Sequence, residues 1–233
     1  MSIILVVTSI TTDGGYSGGM PASGSRRGPT KGDQRERALL DAARTVLRQK
    51  PLAQVTIDEL AAAAGIARSG FYFYFESKQA LLAALCESTL GTSEEELAEW
   101  VEADGIDRDA LRRGMARALD RWRIDGRWLC EAFVNPFPGP EILQVRERVT
   151  ANGCTAVNRR IERDIRAGVT VLGDPTLLSM MVVKLRMIMF AHAFTNPDEQ
   201  TDDALLDSLT EATLRLLYGT LPARADAAAT ASA

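Results

Sequence analysis

The chain of 233 residues has few of the side chains on which disulfide-rich proteins, zinc proteins and many enzymes depend. It contains three cysteines, Cys86, Cys130 and Cys154, and a single histidine. An odd number of distant cysteines gives neither a disulfide framework nor the spacing of a zinc site. Aromatic residues make up only 6% of the chain, whereas Ala, Leu and Arg dominate long stretches. This composition favours helices over strands and predicts an all-α protein without a metal or cofactor.

Long apolar runs and common catalytic motifs are also missing. No stretch approaches the roughly 20 consecutive apolar residues that cross a bilayer, so we expect a soluble, cytoplasmic protein. The sequence has no P-loop and no dinucleotide-binding G-x-G-x-x-G. His192 lies in an apolar run, and we expect it to pack in the core or in a helix bundle rather than serve in a nucleophilic triad. We find no catalytic constellation and predict that the chain is not an enzyme.

The first 50 residues differ from the rest in character. Residues 3–10 are apolar but short and follow no basic residues, so we expect no signal peptide, and Met20 is an alternative start. Residues 11–32 are rich in Gly, Ser and Pro, which is typical of disorder. From Arg26 to Lys50, eight basic residues stand against three acidic ones, although the whole chain carries a net charge of −4. A basic end on an acidic body indicates contact with a polyanion.

Two short helices follow, separated by a glycine. Apolar residues at helical spacing predict a first helix over residues 33–50, which Pro51 ends. Thr56 and Glu59 have the spacing of a capping box for the next helix. Gly65 then permits the positive φ of a sharp turn, and a third helix begins near Ala67. This pattern predicts a helix-turn-helix, whose second helix enters the major groove of DNA.

Four segments of this region, Thr56–Ala61, Ala64–Ile66, Phe71–Phe75 and Ser77–Leu82, together resemble the DNA-binding domain of the TetR family of transcriptional repressors, in particular its EthR-like branch. The resemblance implies that Arg68 reads a base edge and that Phe71 and Phe75 hold the domain together. Tyr72, Tyr74 and Lys78 match positions that contact phosphates in the family. The expected DNA-binding residues are Arg68, Ser69, Gly70, Tyr72, Tyr74, Lys78 and Thr56, with Arg26 and Arg27 in the basic arm.

Two departures from the family pattern lie in the recognition helix. Ala67 stands where the family usually has a capping Ser or Thr, a loss of about 1 kcal/mol. Gly70 stands where Thr is usual, which removes a hydroxyl and adds flexibility. Both predict an unusual affinity or sequence preference for DNA.

The remaining chain predicts a second, helical domain. We expect helices over residues 107–124, 127–134, 141–168, 174–196 and 202–218, with Asp125-Gly126 as a helix end and Asn152-Gly153 as a weak point. The predicted organisation is a disordered arm over residues 1–32, the helix-turn-helix domain over 33–80, a ligand-binding and dimerisation domain over 81–222 and a disordered tail over 223–233.

The resemblance implies a homodimer on a palindromic operator that a small molecule releases, with the fourth helix as the lever between ligand and DNA. We expect a neutral or hydrophobic ligand because the region has few isolated charges that look buried; Lys184 and Arg186 are exceptions that could instead face solvent or the partner. A helical adaptor that binds another protein stays open as an alternative, as does activation in place of repression. The dimer interface is expected at Leu178, Val182, Leu205, Leu209 and Leu216 of the last two helices. The ligand pocket is expected at Trp100, Trp122, Trp128, Phe133, Phe137, Met181, Leu185 and Met189.

Overall fold

A computed structural model describes residues 31–90 and 93–219 of the chain. Within these ranges the regular structure is entirely helical, which confirms the predicted fold class. The predicted arm and tail, including Arg26 and Arg27, lie outside the described residues apart from positions 31 and 32. The helices are α1 (Lys31–Gln49), α2 (Ile57–Ala63), α3 (Arg68–Tyr74), α4 (Lys78–Leu90), α5 (Ser93–Glu102), α6 (Arg108–Phe133), α7 (Pro140–Arg166), α8 (Pro175–Thr195) and α9 (Asp202–Tyr218), with one 3₁₀ turn over Leu52–Gln54.

The first three helices form as the local signals predict. The α1 helix ends two residues before Pro51, and its residues Leu39, Ala43 and Leu47 are fully buried on one face. The hydroxyl of Thr56 accepts a hydrogen bond from the backbone N–H of Glu59 at 3.1 Å, which caps α2. Gly65 has a φ of 67°, the left-handed conformation that lets α2 and α3 meet at a sharp angle.

The α6 helix runs without a break through Asp125-Gly126, where the sequence predicts an end. The carboxylate of Asp125 is fully buried and accepts hydrogen bonds from other side chains, so it does not compete for the backbone. A Cβ atom at Gly126 would lie 2.3 Å from ring carbons of Phe194, so this glycine allows α6 and α8 to approach closely. The α7 helix likewise continues through Gly153, which faces Val183 of α8. In both helices the glycine serves packing rather than a turn.

The α8 helix is apolar on nearly all sides. The carboxylate of Asp174 accepts a hydrogen bond from the N–H of Leu177 at 2.9 Å and caps the helix at the residue where the sequence predicts it to begin. By length and composition this helix is also apolar enough to cross a membrane, which corrects the expectation that no segment approaches this limit. Its packing against α6, α7 and α9 accounts for the apolar side that faces inward.

A buried arginine joins α5, α7 and α9. Arg160 is fully buried; its Nε donates to Asp164 at 2.9 Å, and its Nη1 donates to the carbonyl of Ala103 at 2.9 Å. The guanidinium also lies 5.5 Å from the ring centre of Trp100, and Tyr218 donates its hydroxyl proton to Asp164. Burial, together with the hydrogen bond to Asp164, raises the pKa of Tyr218 and keeps it protonated. These contacts make Trp100 part of the structural core.

Candidate nucleic-acid interface and ligand cavity

The α3 helix divides its aromatic side chains between the core and the solvent. Phe71 is fully buried and Phe75 is 6% exposed, as the resemblance implies. Tyr72 is 47% exposed and Phe73 is 81% exposed, since each residue along a helix rotates by about 100°. Tyr74 is half-buried. The helix therefore exposes the phenol of Tyr72 and the phenyl ring of Phe73 next to each other.

Arg68 is held at the start of α3 by two neighbours. Its Nη1 lies 2.6 Å from a carboxylate oxygen of Asp58, and its Nη2 donates to the hydroxyl of Tyr72 at 3.4 Å. The hydrogen bond with Tyr72, followed by the charge of Asp58, raises the pKa of Arg68. The side chains of Arg68 and Asp58 are 57% and 63% exposed, so the ion pair contributes little stability and can exchange for another partner. Asp58 orients the guanidinium without burying it.

Lys78 has an internal role that the resemblance did not indicate. Its ammonium donates to the carbonyls of Leu52 and Val55, at 2.8 Å and 2.6 Å. These bonds fix the start of α4 to the segment that precedes α2. An ammonium has three N–H donors, so one remains for a phosphate.

Two further residues of this surface were not predicted from the sequence. Arg35 of α1 and Phe73 of α3 line one open depression together with Ser69 and Gly70. Phe73 could have been found from the helical period, because Phe71 points inward and the residue two positions later must point away. Arg35 carries no such signal, since only the fold brings α1 next to α3. Thr56, Arg68 and Ser69 are exposed on the same small domain.

A buried carboxylate joins this small domain to the rest of the chain. Asp125 of α6 accepts hydrogen bonds from Nε of Arg48 at 2.7 Å, from Nε of Arg44 at 3.1 Å and from the indole of Trp128 at 3.2 Å. Burial alone would raise the pKa of Asp125, but the hydrogen bonds from Arg44 and Arg48 outweigh it and hold the pKa below its usual range. A backbone N–H, that of Leu52, also donates to the carboxylate of Glu131 at 3.0 Å. These contacts attach α1 and the following turn to α6.

A cavity of about 40 Å³ lies among the helices of the larger domain. Its wall is mostly apolar, and it includes Trp122 and Phe133, two of the predicted pocket residues. The full lining is Leu90, Glu96, Ala118, Arg121, Trp122, Leu129, Phe133, Val149, Gly153, Val183, Arg186 and Met187.

The other predicted pocket residues lie elsewhere. Trp100 and Trp128 are fully buried in the core, where Arg160 and Asp125 engage them. Leu185 and Met189 are half-buried and do not line this cavity. Phe137, in the loop before α7, is 89% exposed, and Met181 is 51% exposed on α8. The sequence indicated which residues are large and apolar but not the direction in which each one points.

The residues predicted for a dimer interface are mostly buried within the protomer. Leu178, Val182, Leu205 and Leu209 are at most 5% exposed and belong to the core of the protomer itself, whereas Leu216 is half-buried. A different row of apolar side chains remains exposed along α8, made up of Leu177, Met180, Met181 and Ile188.

Three charged side chains meet at the cavity. Glu96 is 8% exposed and Arg186 is 9% exposed. One Nη of Arg121 lies 2.9 Å from Oε1 of Glu96 without the alignment of a hydrogen bond, and the other donates to the carbonyl of Thr89. Nη1 of Arg186 is buried and has no hydrogen-bond partner within residues 31–90 and 93–219. Burial raises the pKa of Glu96 and lowers that of Arg186.

His192 lies near the end of α8 and does not pack in the core of the protomer, the first of its two expected places. Its side chain is 44% exposed, and its Nε2 lies 2.8 Å from the carboxylate of Glu199. No group of three or more His, Cys, Asp or Glu side chains that could hold a metal occurs in the part of the chain that the structure describes.

Comparisons with known proteins agree with this architecture. The model of the family "Bacterial regulatory proteins, tetR family" matches residues 39–85. The HTH-type transcriptional regulator EthR of Mycolicibacterium smegmatis is 29% identical over 206 residues, which are 85% of this chain and 93% of that protein. The regulator FadR from Bacillus subtilis, in complex with stearoyl-CoA, has a TM-score of 0.64 at 18% identity, over 79% of this chain and 99% of that one. SmeT, the repressor of a Stenotrophomonas maltophilia multidrug efflux pump, has a TM-score of 0.62 in its triclosan complex, at 20% identity over 82% of this chain and 96% of that one.

Proposed function

Since the chain is a TetR-family transcriptional regulator similar to EthR, we propose that it represses transcription by binding a palindromic operator as a homodimer and that a small, largely apolar molecule releases it. The observation that carries the proposal is the outward face of α3, where Arg68, Tyr72 and Phe73 are exposed directly after the turn at Gly65. A regulator of this kind acts where the chromosome lies, so we infer a cytoplasmic location.

The chemistry of this face suits a major groove. A guanidinium can donate two hydrogen bonds to a guanine edge, which makes Arg68 the candidate for base recognition. The hydroxyl of Tyr72 is available for a phosphate oxygen once Arg68 turns toward a base. An exposed phenyl ring such as Phe73 can contact the methyl group of a thymine. The depression between α1 and α3 adds Arg35 as a candidate phosphate contact.

The exposed row on α8 supports the dimer. Leu177, Met181 and Ile188 are separated by four and seven residues, so they lie on one side of the helix. An apolar surface of this kind is typical of an interface, and a second copy can cover it with the same surface by two-fold symmetry. Such a dimer would place two α3 helices on successive major grooves, about 34 Å apart.

The apolar wall of the cavity supports the ligand response. Trp122 and Phe133 contribute the kind of surface that small-molecule sites use. Two structural neighbours were solved with stearoyl-CoA, whose acyl chain is apolar although its CoA part is charged, and with triclosan, which is largely apolar. A cavity of about 40 Å³ holds only a few water-sized molecules, so a larger ligand must move the helices apart. We propose that this movement reaches α1 through Asp125 and α4 through Arg121.

Binding to DNA can be tested by selecting bound fragments of genomic DNA and titrating them by fluorescence anisotropy. Affinity should fall as salt rises, because each neutralised phosphate releases counterions. Arg68→Ala should cost about 1–3 kcal/mol on the preferred operator and relax the preference at one base pair, whereas Tyr72→Phe should weaken all sequences alike. Arg159→Ala, an exposed position on α7, serves as the control. An affinity for DNA that does not depend on salt would contradict the proposal and favour the adaptor alternative.

A further inference from the structure

We propose that the cavity takes an amphiphile with a single carboxylate, and that this carboxylate pairs with Arg186 while the apolar tail lies along Trp122 and Phe133. The inference rests on the proposed ligand site and names the chemistry of its ligand. It departs from the neutral or hydrophobic molecule that the scarcity of charges in the sequence suggests.

The charges at the cavity do not balance. Arg121 and Arg186 bring two guanidinium groups to its wall, and Glu96 is the one carboxylate among the lining residues that the structure describes. Glu96 lies against Arg121, with 2.9 Å between the charged atoms. The charge of Glu96 also acts on Arg186, but no carboxylate of the described residues forms an ion pair with Arg186, the more buried arginine. The two guanidinium groups therefore share one counter-charge, and the wall keeps one positive charge in excess.

Arg186 also has an unused donor. Its Nη1 is inaccessible to solvent and has no hydrogen-bond partner in the described part of the chain. A buried polar atom normally has a partner, because its desolvation otherwise goes uncompensated. Arg186 comes from the middle of α8 and lines the cavity itself, so a ligand placed there can accept from this donor.

A carboxylate fits this environment better than the other common head groups. Two oxygens match the planar fork of a guanidinium, and their negative charge offsets the excess positive charge. An ammonium group would add to the excess, and an alcohol could accept a hydrogen bond but would leave the charge uncompensated. The apolar side chains of the same wall, including Val183 and Met187, leave room for one polar group rather than several.

The head group can be tested on the full-length protein with matched probes. Decanoate, decan-1-ol and decyltrimethylammonium share one apolar chain and differ in the charge of the head group. Binding can be measured by calorimetry and by the change in tryptophan fluorescence, since Trp122 is the one of the three tryptophans that lines the cavity. We expect decanoate to bind at least ten-fold tighter than decan-1-ol, the equivalent of about 1.4 kcal/mol, and the ammonium probe to bind weakest. Equal binding of decanoate and decan-1-ol, or no binding of decanoate, would overturn the proposal.

Two variants separate the role of Arg186 from a general loss of structure. Arg186→Met should weaken decanoate by about 30-fold or more and remove the preference over decan-1-ol. Glu96→Gln removes the neighbouring negative charge and should strengthen decanoate binding, an outcome that a disrupted fold cannot produce. Arg159→Met is the control and should bind like the wild type. Retention of the decanoate preference in Arg186→Met, or weaker binding in Glu96→Gln, would count against the assignment.

The same samples distinguish this inference from the proposed function. If decanoate binds in an Arg186-dependent manner but leaves the affinity for operator DNA unchanged, the carboxylate site stands and the release mechanism fails. If the protein binds and releases DNA but responds only to decan-1-ol, the regulatory function stands and the carboxylate site fails.

Discussion

Replacing Asp125 by Asn tests the junction between α1 and α6. The carboxylate is fully buried and accepts from Arg44, Arg48 and Trp128. A hydrogen bond to a charged group contributes about 1.5–3 kcal/mol. The two arginine side chains are 36% and 37% exposed, so water can solvate them once the charge is gone, and Asn keeps one acceptor oxygen. We therefore expect Asp125→Asn to lower the free energy of unfolding by about 2–4 kcal/mol, or Tm by roughly 5–15 °C.

The measurement is thermal unfolding at several pH values, with Asp120→Asn as the control. Asp120 lies on the same helix and is exposed. Because the pKa of Asp125 is lowered in the folded protein, its contribution is complete above the ordinary Asp pKa of about 3.9 and is lost as pH falls through the lowered value. The difference in Tm between wild type and variant should thus be constant near neutral pH and shrink below about pH 4. A Tm for Asp125→Asn equal to that of the control at pH 7.5 would show that the junction contributes little.

Three further predictions concern the recognition helix, the contact between α6 and α8, and the proposed dimer face. The carboxylate of Asp58 lies 2.6 Å from Arg68, and its negative charge repels phosphates. Asp58→Asn removes this charge, so the DNA affinity measured by anisotropy should rise. A lower affinity would mean that Asp58 is needed to orient Arg68. Gly126→Ala places a Cβ 2.3 Å from the ring of Phe194 and should cost about 1–3 kcal/mol in urea unfolding, even though Ala favours helices. Stability equal to the wild type would show that Phe194 moves aside easily. Ile188→Glu puts a charge on the exposed row of α8 and should give a monomer by analytical ultracentrifugation, whereas a dimer would place the interface elsewhere.

The helix-turn-helix could be predicted from the sequence because its signals are local. The hydroxyl of Thr56 caps α2 by accepting from the N–H three residues later, and the hydroxyl of Ser77 caps α4 by accepting from the N–H of Ala80. Between these two helices, Gly65 adopts the positive φ of a tight turn. Each signal acts within a few residues and needs no partner from elsewhere in the chain. The same holds for Asp174 at the start of α8.

The errors have a common physical origin in contacts between distant residues. Asp125 and Gly126 look like a helix end, but Arg44, Arg48 and Phe194 hold them inside a continuous helix. The arginines of α1 lie about 80 residues from Asp125 in the sequence, and no local pattern predicts a contact over that distance. Lys78 likewise binds two carbonyls that no local pattern reveals, and its phosphate contact stays a prediction.

The apolar row that α8 leaves exposed differs from the predicted dimer residues for a related reason. Hydrophobic periodicity assigns a direction to a helix only when one side is polar, and α8 is apolar on almost every side. The pattern therefore could not decide whether Leu178 and Val182 or Leu177 and Met181 remain exposed for a dimer interface. A rotation of about 100° separates the two choices, and only the packing against α6, α7 and α9 fixes it.

The positions of the cavity and the junction on α6 limit how a ligand could act on DNA. Trp122 and Phe133 contact the cavity, and Asp125, between them on the same helix, binds α1. Arg121 lines the cavity as well and donates to the carbonyl of Thr89 near the end of α4.

A ligand that widens a space of about 40 Å³ must displace at least one of the helices that surround it, because the side chains are closely packed. If α6 moves, it shifts or breaks the bonds from Asp125 to Arg44 and Arg48, so the position of α1 changes with it. The lever that the sequence assigned to α4 alone would then be shared between α4 and α6, and Asp125→Asn should weaken the effect of ligand on DNA binding more than it weakens ligand binding itself.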